Sequence, residues 1–144
     1  MKFVVDSNVL FTFFWKAPIL LSVLEKPVSL FSPEYALLEI NNHESEIIKK
    51  SKTTQDIFNK QKVELANQIQ FIYLDEYSLH IKKALSLAEH YSRKEYHNFI
   101  KDIDFYALAL KAGCSIWTND ALFKKQKEIL VFNTKEIITL CDSL

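Results

Sequence analysis

The chain has 144 residues, balanced formal charge with 18 basic and 18 acidic residues, and a single glycine. Average glycine usage of about 7 % would give roughly ten glycines in a chain of this length. A dinucleotide-binding fingerprint requires three glycines and a Walker-type phosphate loop requires two. The composition therefore excludes both kinds of nucleotide-cofactor site. The length and the 49 % share of hydrophobic residues predict one domain spanning residues 1–144.

The charge is also balanced locally, since residues 1–72 carry 8 charges of each sign and residues 73–144 carry 10 of each. A nucleic-acid partner would therefore have to be held by a local patch or by metal ions. Cys114 and Cys141 are too few for a disulfide framework or a zinc site, which favours a reducing, cytoplasmic compartment. The apolar N-terminal region resembles a secretion leader, but Asp6 and Asn8 interrupt it. We expect no membrane segment.

Short apolar runs and turn signals predict an alternation of strands and helices along the chain. The predicted strands cover residues 2–5, 28–31, 71–74, 114–117 and 129–132. The predicted helices begin near Ser7, cover residues 19–24, run from Ser32-Pro33 through Ile48, and cover residues 54–67, 76–91, 102–112, 121–127 and 134–141. Ser32 is expected to be the N-cap of its helix, and Gly113 the left-handed C-terminal cap of the helix over 102–112. This alternation predicts an α/β fold with a mainly parallel central sheet flanked by helices.

Acidic residues follow two of the predicted strands. Asp6 comes directly after the first strand and Asp120 closely follows the strand over 114–117. Carboxyl ends of parallel strands meet at one edge of a sheet, where binding sites form. Asp102 and Asp104 open the helix over 102–112, and taken alone their position favours helix capping. Glu39 lies within a helix, and taken alone it belongs to a solvated stripe.

Several carboxylates at one edge repel each other unless a cation compensates their charge. Oxygen ligands with few His or Cys residues nearby favour Mg²⁺ or Mn²⁺. Such ions commonly bind phosphate oxygens and assist phosphodiester hydrolysis. The pattern therefore indicates metal-assisted chemistry on a phosphodiester.

Three blocks of sequence resemble the PIN domains, metal-dependent ribonucleases that include the VapC-type toxins of toxin–antitoxin pairs. The blocks span residues 3–10, 32–40 and 102–110, with a continuation through Gly113 to Trp117-Thr118-Asn119-Asp120. They follow the family's order and cover nearly the whole chain. The resemblance implies a three-layer α/β fold, RNA as substrate, a possible protein antitoxin as partner and a homodimer.

The resemblance also implies roles for individual residues. Asp6, Glu39, Asp102 and Asp120 would be the catalytic acids, and Asp6, Asp102, Asp104 and Asp120 would hold one or two Mg²⁺ or Mn²⁺ ions. Polar residues that orient the acids or their waters would be Asn8, Thr118 and Asn119. Hydrolysis would leave a 5′-phosphate and a 3′-hydroxyl.

Two lysines after the fourth acid, Lys124 and Lys125, are candidates for contacts with substrate phosphate. Two alternatives to the nuclease stay open at this point. One is a catalytically silent PIN-like interaction module, which the neutral charge permits. The other is a receiver-like or phosphatase-like domain that becomes phosphorylated on Asp6, although that alternative leaves Glu39 and Asp104 without a role.

Overall fold

The fold is built around a parallel β-sheet, shown by a computed structural model that describes residues 1–15 and 17–144. The strands are β1 (Lys2–Val5), β2 (Ser29–Pro33), β3 (Gln70–Ile72), β4 (Ser115–Trp117) and β5 (Val131–Phe132). They lie in the order β3-β2-β1-β4-β5, and every pair of neighbours is parallel. The expectation of a mainly parallel sheet is confirmed.

Helices fill the connections between the strands. They are α1 (Ser7–Thr12), α2 (Ala17–Leu24), α3 (Tyr35–Asn42), α4 (Glu44–Ser51), α5 (Gln55–Gln68), α6 (Leu74–Tyr77), α7 (Ile81–Ser86), α8 (Arg93–Lys101), α9 (Ile103–Ala112) and α10 (Thr134–Asp142). Two 3₁₀ segments cover Ser78–His80 and Ala121–Lys124. Within the described residues, no helix is both long and apolar enough to cross a membrane.

The handedness of the connections distributes the helices over both faces of the sheet. Crossovers between parallel strands are right-handed in nearly all proteins, so α1–α5 cover one face and α6–α9 the other. Consistent with this, α9 packs on β1, β2 and β4, whereas α10 packs against α2. The result is the three-layer arrangement that the resemblance implied.

The strand β1 lies at the centre of the sheet because its sequence is apolar on both faces. Phe3, Val4 and Val5 are all fully buried, as expected for a parallel strand covered by helices on both sides. Behind it, Trp117 at the end of β4 is also fully buried, and its indole N–H donates a hydrogen bond to the Thr134 hydroxyl at 3.0 Å. The residues that follow the carboxyl ends of the central strands are therefore attached to fully buried, well-packed segments.

The predicted start of a helix at Ser32-Pro33 is wrong. Both residues belong to β2, where Ser32 pairs with Phe71 and Pro33 with Ile72. The Ser32 hydroxyl is buried and donates to the Val5 carbonyl at 2.9 Å, so it binds a neighbouring strand rather than a helix terminus. Pro33 is tolerated because it is the last residue of its strand, and α3 begins two residues later.

Two predicted helices are interrupted. The helix expected to continue through Ile48 breaks at His43, which has non-helical backbone angles and separates α3 from α4. The helix expected over residues 76–91 is divided into α6, a 3₁₀ turn and α7, and it ends at Ser86. Both interruptions let the chain curve around the sheet while one apolar face stays buried.

The sequence patterns above predict no helix over residues 93–101, where the structure has α8. A capping box starts this helix: the Ser92 hydroxyl accepts from the Glu95 backbone N–H, and the Glu95 carboxylate accepts from the Ser92 N–H. Ser-x-x-Glu is a sequence signal for a helix start. Phe99 is the only fully buried residue of α8, so the helix is mostly polar and its apolar positions are few.

The single glycine has the role predicted for it. Gly113 ends α9 in the left-handed region, with φ of 63°, and a Cβ added there would meet no atom within 4 Å. The cost of any other residue at this position is therefore conformational strain alone, about 1–2 kcal/mol.

We expect Gly113→Ala to lower the free energy of unfolding by about 1 kcal/mol and Gly113→Asn to lower it by less, because Asn tolerates the left-handed region better. Urea unfolding followed by circular dichroism measures both differences. Equal losses for the two variants would show that steric contact, rather than backbone conformation, makes glycine necessary here.

Candidate active site

The carboxyl ends of β1 and β4 form the point where the chain's connections diverge to opposite sides of the sheet. The connection after β1 leads to β2 on one side, whereas β4 continues to β5 on the other. Open parallel sheets bind their ligands at such a switch point. Asp6 follows β1 here, and its backbone N–H donates to the Trp117 carbonyl at 2.9 Å, which brings it beside the residue that follows β4.

Asp6 is nearly inaccessible to solvent, at 2 % exposure, and its carboxylate is held by two hydroxyl groups. Thr118 Oγ1 donates to Asp6 Oδ2 at 2.6 Å across 112 positions of sequence. Ser7 Oγ lies 3.5 Å from Asp6 Oδ1 and 3.0 Å from Glu39 Oε1. Ser7 therefore links the first acid to Glu39, which reaches the site from α3.

Asp120 is joined to the same network through its backbone. Its N–H donates to Thr118 Oγ1 at 3.0 Å, so one threonine hydroxyl connects Asp6 with Asp120. Asp120 Oδ1 also accepts from the Leu122 N–H at 3.0 Å and caps the following 3₁₀ segment. Thr118, which was predicted as a supporting polar residue, thus lies between two of the predicted acids.

Asp102 lies at the junction of two helices, where it is both the C-cap residue of α8 and the N-cap residue of α9. Among the described residues, its side chain accepts no capping hydrogen bond from α9. The capping role that its position favoured in the sequence is therefore not what its carboxylate does. Asp104, in the first turn of α9, accepts a hydrogen bond from the Tyr77 hydroxyl at 2.5 Å.

Burial and mutual repulsion weaken the acidity of three of these groups. Burial raises the pKa of Asp6 to about 6 against the hydrogen bond from Thr118, and the Asp120 charge adds to the effect. Burial raises the pKa of Asp102 to about 7, with further contributions from Asp6, Glu39 and Asp120. The pKa of Glu39 is raised by burial and by Asp6. The acids thus act on one another electrostatically across one site.

A cavity of about 500 Å³ is lined by three of these acids, Glu39, Asp102 and Asp120, whereas Asp6 and Asp104 are not part of its lining. Its lining comes from α3, α8, the junction of α8 with α9, and the start of the second 3₁₀ segment: Tyr35, Glu39, Asn98, Lys101, Asp102, Asp120 and Leu122. Sequence reasoning did not identify Tyr35, Asn98 or Lys101 as part of a site. Lys101 could have been found from its position directly before Asp102. Asn98 could have been found if α8 had been predicted, because it lies on the same side of that helix as Lys101.

Two of the predicted supporting residues lie outside the acidic cavity. Asn8 is exposed on α1 and lines a separate cavity of about 320 Å³ together with Phe11, Trp15 and His43. Asn119 is exposed, and its Oδ1 accepts from the Thr134 N–H at 2.9 Å, which anchors the start of α10. Neither residue contacts an acid through a described hydrogen bond.

The two lysines predicted to contact substrate are already paired with carboxylates. Lys124 Nζ lies 2.5 Å from Glu136 Oε1, and Lys125 Nζ contacts Glu95 Oε2. Their positive charges are compensated within the fold, which reduces what they can offer to a phosphate group. Lys101, by contrast, forms no ion pair with any of residues 1–15 and 17–144.

The donor set fits a hard divalent cation in chemical type, because every acid at the edge offers carboxylate oxygens and no His or Cys lines the cavity. The side chains as placed do not converge: in the described part of the chain, no three His, Cys, Asp or Glu residues form a group close enough to hold an ion. Repulsion between the carboxylates favours this separation. Among the described residues, the hydrogen bonds that link these acids run through the hydroxyls of Ser7 and Thr118.

Comparison with known proteins identifies the fold. No curated protein matches the chain. A crystal structure of VapBC2 from Rickettsia felis bound to a DNA fragment from their promoter is similar, with a TM-score of 0.67 and 15 % identity over 92 % of this chain and 98 % of that chain. At this identity the likeness shows the fold.

The family model described as PIN domain matches residues 4–133, a range that contains Asp6, Glu39, Asp102 and Asp120. The match covers most of the chain and begins within β1 and ends after β5. This chain therefore belongs to the PIN domain family.

Proposed function

We propose that this protein is a metal-dependent endoribonuclease that hydrolyses RNA phosphodiester bonds at the acidic edge of its sheet. The observation that carries the proposal is the group of four carboxylates at the switch point. Burial and neighbouring acids raise the pKa values of Asp6, Glu39 and Asp102, and Glu39, Asp102 and Asp120 line one cavity. PIN domains are in general nucleases that use divalent metal ions, which supports hydrolysis as the reaction.

Asp6, Asp102, Asp104 and Asp120 are the residues that would hold Mg²⁺ or Mn²⁺. When bound, such an ion lowers the pKa of a water molecule and stabilises the charge that develops on phosphate oxygens. Thr118 donates a hydrogen bond to the Asp6 carboxylate and Tyr77 donates one to Asp104, so each hydroxyl restricts the orientation of one acid. The hydrogen bond from Thr118 also opposes the effect of burial on the pKa of Asp6.

Glu39 is suited to accept the proton of the attacking water. Its Oε1 accepts a hydrogen bond from Ser7, whereas its Oε2 has no hydrogen-bond donor among the described residues and the side chain lines the cavity. Burial raises its pKa, which increases its proton affinity. We assign Oε2 of Glu39 as the proton-accepting atom.

The geometry disfavours phosphorylation of Asp6, which a receiver-like or phosphatase-like function would require. Asp6 is 2 % exposed, and each of its oxygens lies beside a hydroxyl group. A silent interaction module is disfavoured because grouping acids whose pKa values are raised by burial costs stability, and an ion bound among them would recover that cost.

We further propose a protein antitoxin as a partner, because the similar structure is a toxin–antitoxin complex. A homodimer, expected from the resemblance, and a cytoplasmic location, expected from the two isolated cysteines, accompany this proposal. The DNA bound in that structure is a fragment from the promoter of VapBC2. For this chain we propose RNA as the substrate.

We expect Asp102→Asn to reduce cleavage of a single-stranded RNA by at least about 100-fold in Mn²⁺ buffer, because loss of an electrostatic catalytic group typically has effects of that size. Gel analysis of a labelled oligonucleotide under single-turnover conditions gives the rate. Product ends are expected to be 5′-phosphate and 3′-hydroxyl.

Asp142→Asn is the matched control, since it makes the same chemical change at the opposite end of the sheet. Asp142 ends α10, and the neighbouring Cys141 is influenced by the charges of Lys26 and the N-terminus. This variant should cleave at the wild-type rate. Equal rates for wild type and Asp102→Asn would contradict the assignment of the site.

A second prediction concerns the pH dependence of stability in metal-free protein. Burial and neighbouring acids raise the pKa of folded Asp102 from 3.8 to about 7. The folded state therefore binds more protons than the unfolded state between these values, and stability falls as the pH rises through that interval. Asp102→Asn should thus be more stable than wild type at pH 8, by about 2 kcal/mol after allowance for partial exposure, and similar at pH 4.

Urea unfolding in EDTA at both pH values measures this difference, with Asp142→Asn as the control that should follow wild type. If Asp102→Asn is less stable than wild type at pH 8, the carboxylate makes a stabilising contact and the electrostatic description of the site is wrong.

A third prediction concerns metal binding itself. Mn²⁺ should raise the thermal midpoint of wild type, because a ligand that binds only the folded state stabilises it by RT ln(1 + [L]/Kd). The rise should be abolished or strongly reduced in Asp102→Asn and retained in Asp142→Asn. Ca²⁺, also a hard cation, tests whether the site selects by size. Identical shifts in all three proteins would place metal binding elsewhere.

A further inference from the structure

Helix α8 presents a positively charged face that leads directly to the acidic cavity. Residues 93, 94, 97, 98 and 101 share one side of the helix, and all five are exposed: Arg93, Lys94, His97, Asn98 and Lys101. We call this set the α8 polar face. It contains three cations and no carboxylate, whereas the chain as a whole is neutral.

The fold leaves the cations of this face uncompensated. Arg93, Lys94 and Lys101 take part in no ion pair with the residues that the structure describes. The one acid of α8, Glu95, lies off this face, where it closes the capping box with Ser92 and pairs with Lys125. The positive charge of the face is therefore available to a ligand.

The face is continuous with the proposed active site at its C-terminal end. Asn98 and Lys101 line the acidic cavity, and Lys94 precedes them by one and two helical turns on the same side. Lys101 also opposes the effect of the neighbouring acids on the pKa of Asp102. A negatively charged strand that enters the cavity therefore meets Lys101 before it meets the carboxylates.

The spacing suits a nucleic-acid backbone. Residues four positions apart on a helix are separated by a rise of about 6 Å, which is comparable with the separation of adjacent phosphates in an extended strand. From Arg93 to Lys101 the face extends about 12 Å. A single strand suits this surface, because its flexible backbone can turn from the helix face into the cavity, whereas a duplex holds its phosphates on a rigid outer surface.

We propose that the α8 polar face is the docking surface for single-stranded RNA, with Lys94 and Lys101, about 10 Å apart along the helix, contacting two phosphates that flank the one beside Asn98, so that the next phosphate enters the acidic cavity. The inference rests on the proposed ribonuclease function and adds the surface and the direction along which the substrate approaches. Contacts of this kind position the strand and carry no sequence information.

The test is a binding measurement in EDTA, in which no cleavage occurs, so it does not depend on catalysis. Fluorescence anisotropy of a labelled 12-nucleotide RNA at several salt concentrations gives the slope of log K against log salt. Each phosphate contact to a single strand contributes about −0.7 to that slope. Lys94→Gln and Lys101→Gln should each reduce its magnitude by about 0.7, and the double variant by about 1.4.

Lys111→Gln is the matched control. Lys111 is exposed in the last turn of α9 and lies with Lys2 and Phe31 at the other end of the sheet. This variant should keep the wild-type slope, and the three substitutions are all at exposed positions where circular dichroism should show unchanged folding. The same RNA annealed to its complement should bind at least tenfold more weakly than the single strand.

Unchanged slopes in Lys94→Gln and Lys101→Gln would overturn the proposal, even if wild type cleaves RNA and Asp102→Asn does not. Equal affinity for the duplex would overturn the preference for a single strand. Reduced slopes in a protein that never cleaves RNA would support the docking surface and contradict the nuclease function, so the two proposals fail separately.

Discussion

The hydrogen bond from Thr118 to the buried Asp6 carboxylate is the interaction on which the site depends. It joins the ends of β1 and β4, the two strands between which the connections of the sheet diverge. An unpartnered carboxylate at this depth would be strongly disfavoured. Thr118 and Ser7 supply hydroxyl donors on either side of it, and the same two hydroxyls reach Asp120 and Glu39. The geometry of the acids therefore follows from how one buried charge is satisfied.

The distribution of charge explains how a neutral chain can handle a polyanion. Negative charge is concentrated at the carboxyl edge of the sheet, where the acids raise one another's pKa. Positive charge remains uncompensated on α8, while Lys124 and Lys125 are held by Glu136 and Glu95. The two regions meet at consecutive residues, Lys101 and Asp102, which in the proposed function places attraction for a phosphate beside the groups that need a cation. Net charge reports neither feature.

The sequence alone is enough to predict that the acids which follow strands lie at the same edge of the sheet. Asp6 and Asp120 follow strands, and any parallel sheet that pairs those strands brings the two residues to the same edge. Glu39 and Asp102 come from helices, so only the resemblance to the family connected them to the site. The orientation of a helical side chain toward a distant strand depends on packing, which no local pattern contains.

The errors in the sequence interpretation have the same origin. Ser32-Pro33 has the local features of a helix start, but its tertiary partner is the Val5 carbonyl, and strand pairing prevails over the capping preference. In α8 the opposite holds: the Ser92–Glu95 capping box marks a true helix start, although the helix is mostly polar and fully buries only Phe99. A local capping signal therefore has to be weighed against the tertiary partners that the same residues can find.

Asp102 shows how one backbone break can serve both the acid and the substrate surface. It has non-helical backbone angles, with φ of −109° and ψ of 15°, and it is at once the last cap of α8 and the first cap of α9. The break changes the direction of the chain between α8 and α9 at the residue whose carboxylate lines the cavity. Because α9 is fixed on the central strands by its buried residues Phe105 to Ala109, the direction of α8 is defined relative to Asp6. The single glycine completes this frame by ending α9 in the left-handed region and directing the chain into β4. A chain without glycine-rich phosphate loops can thereby position a phosphodiester through side chains alone.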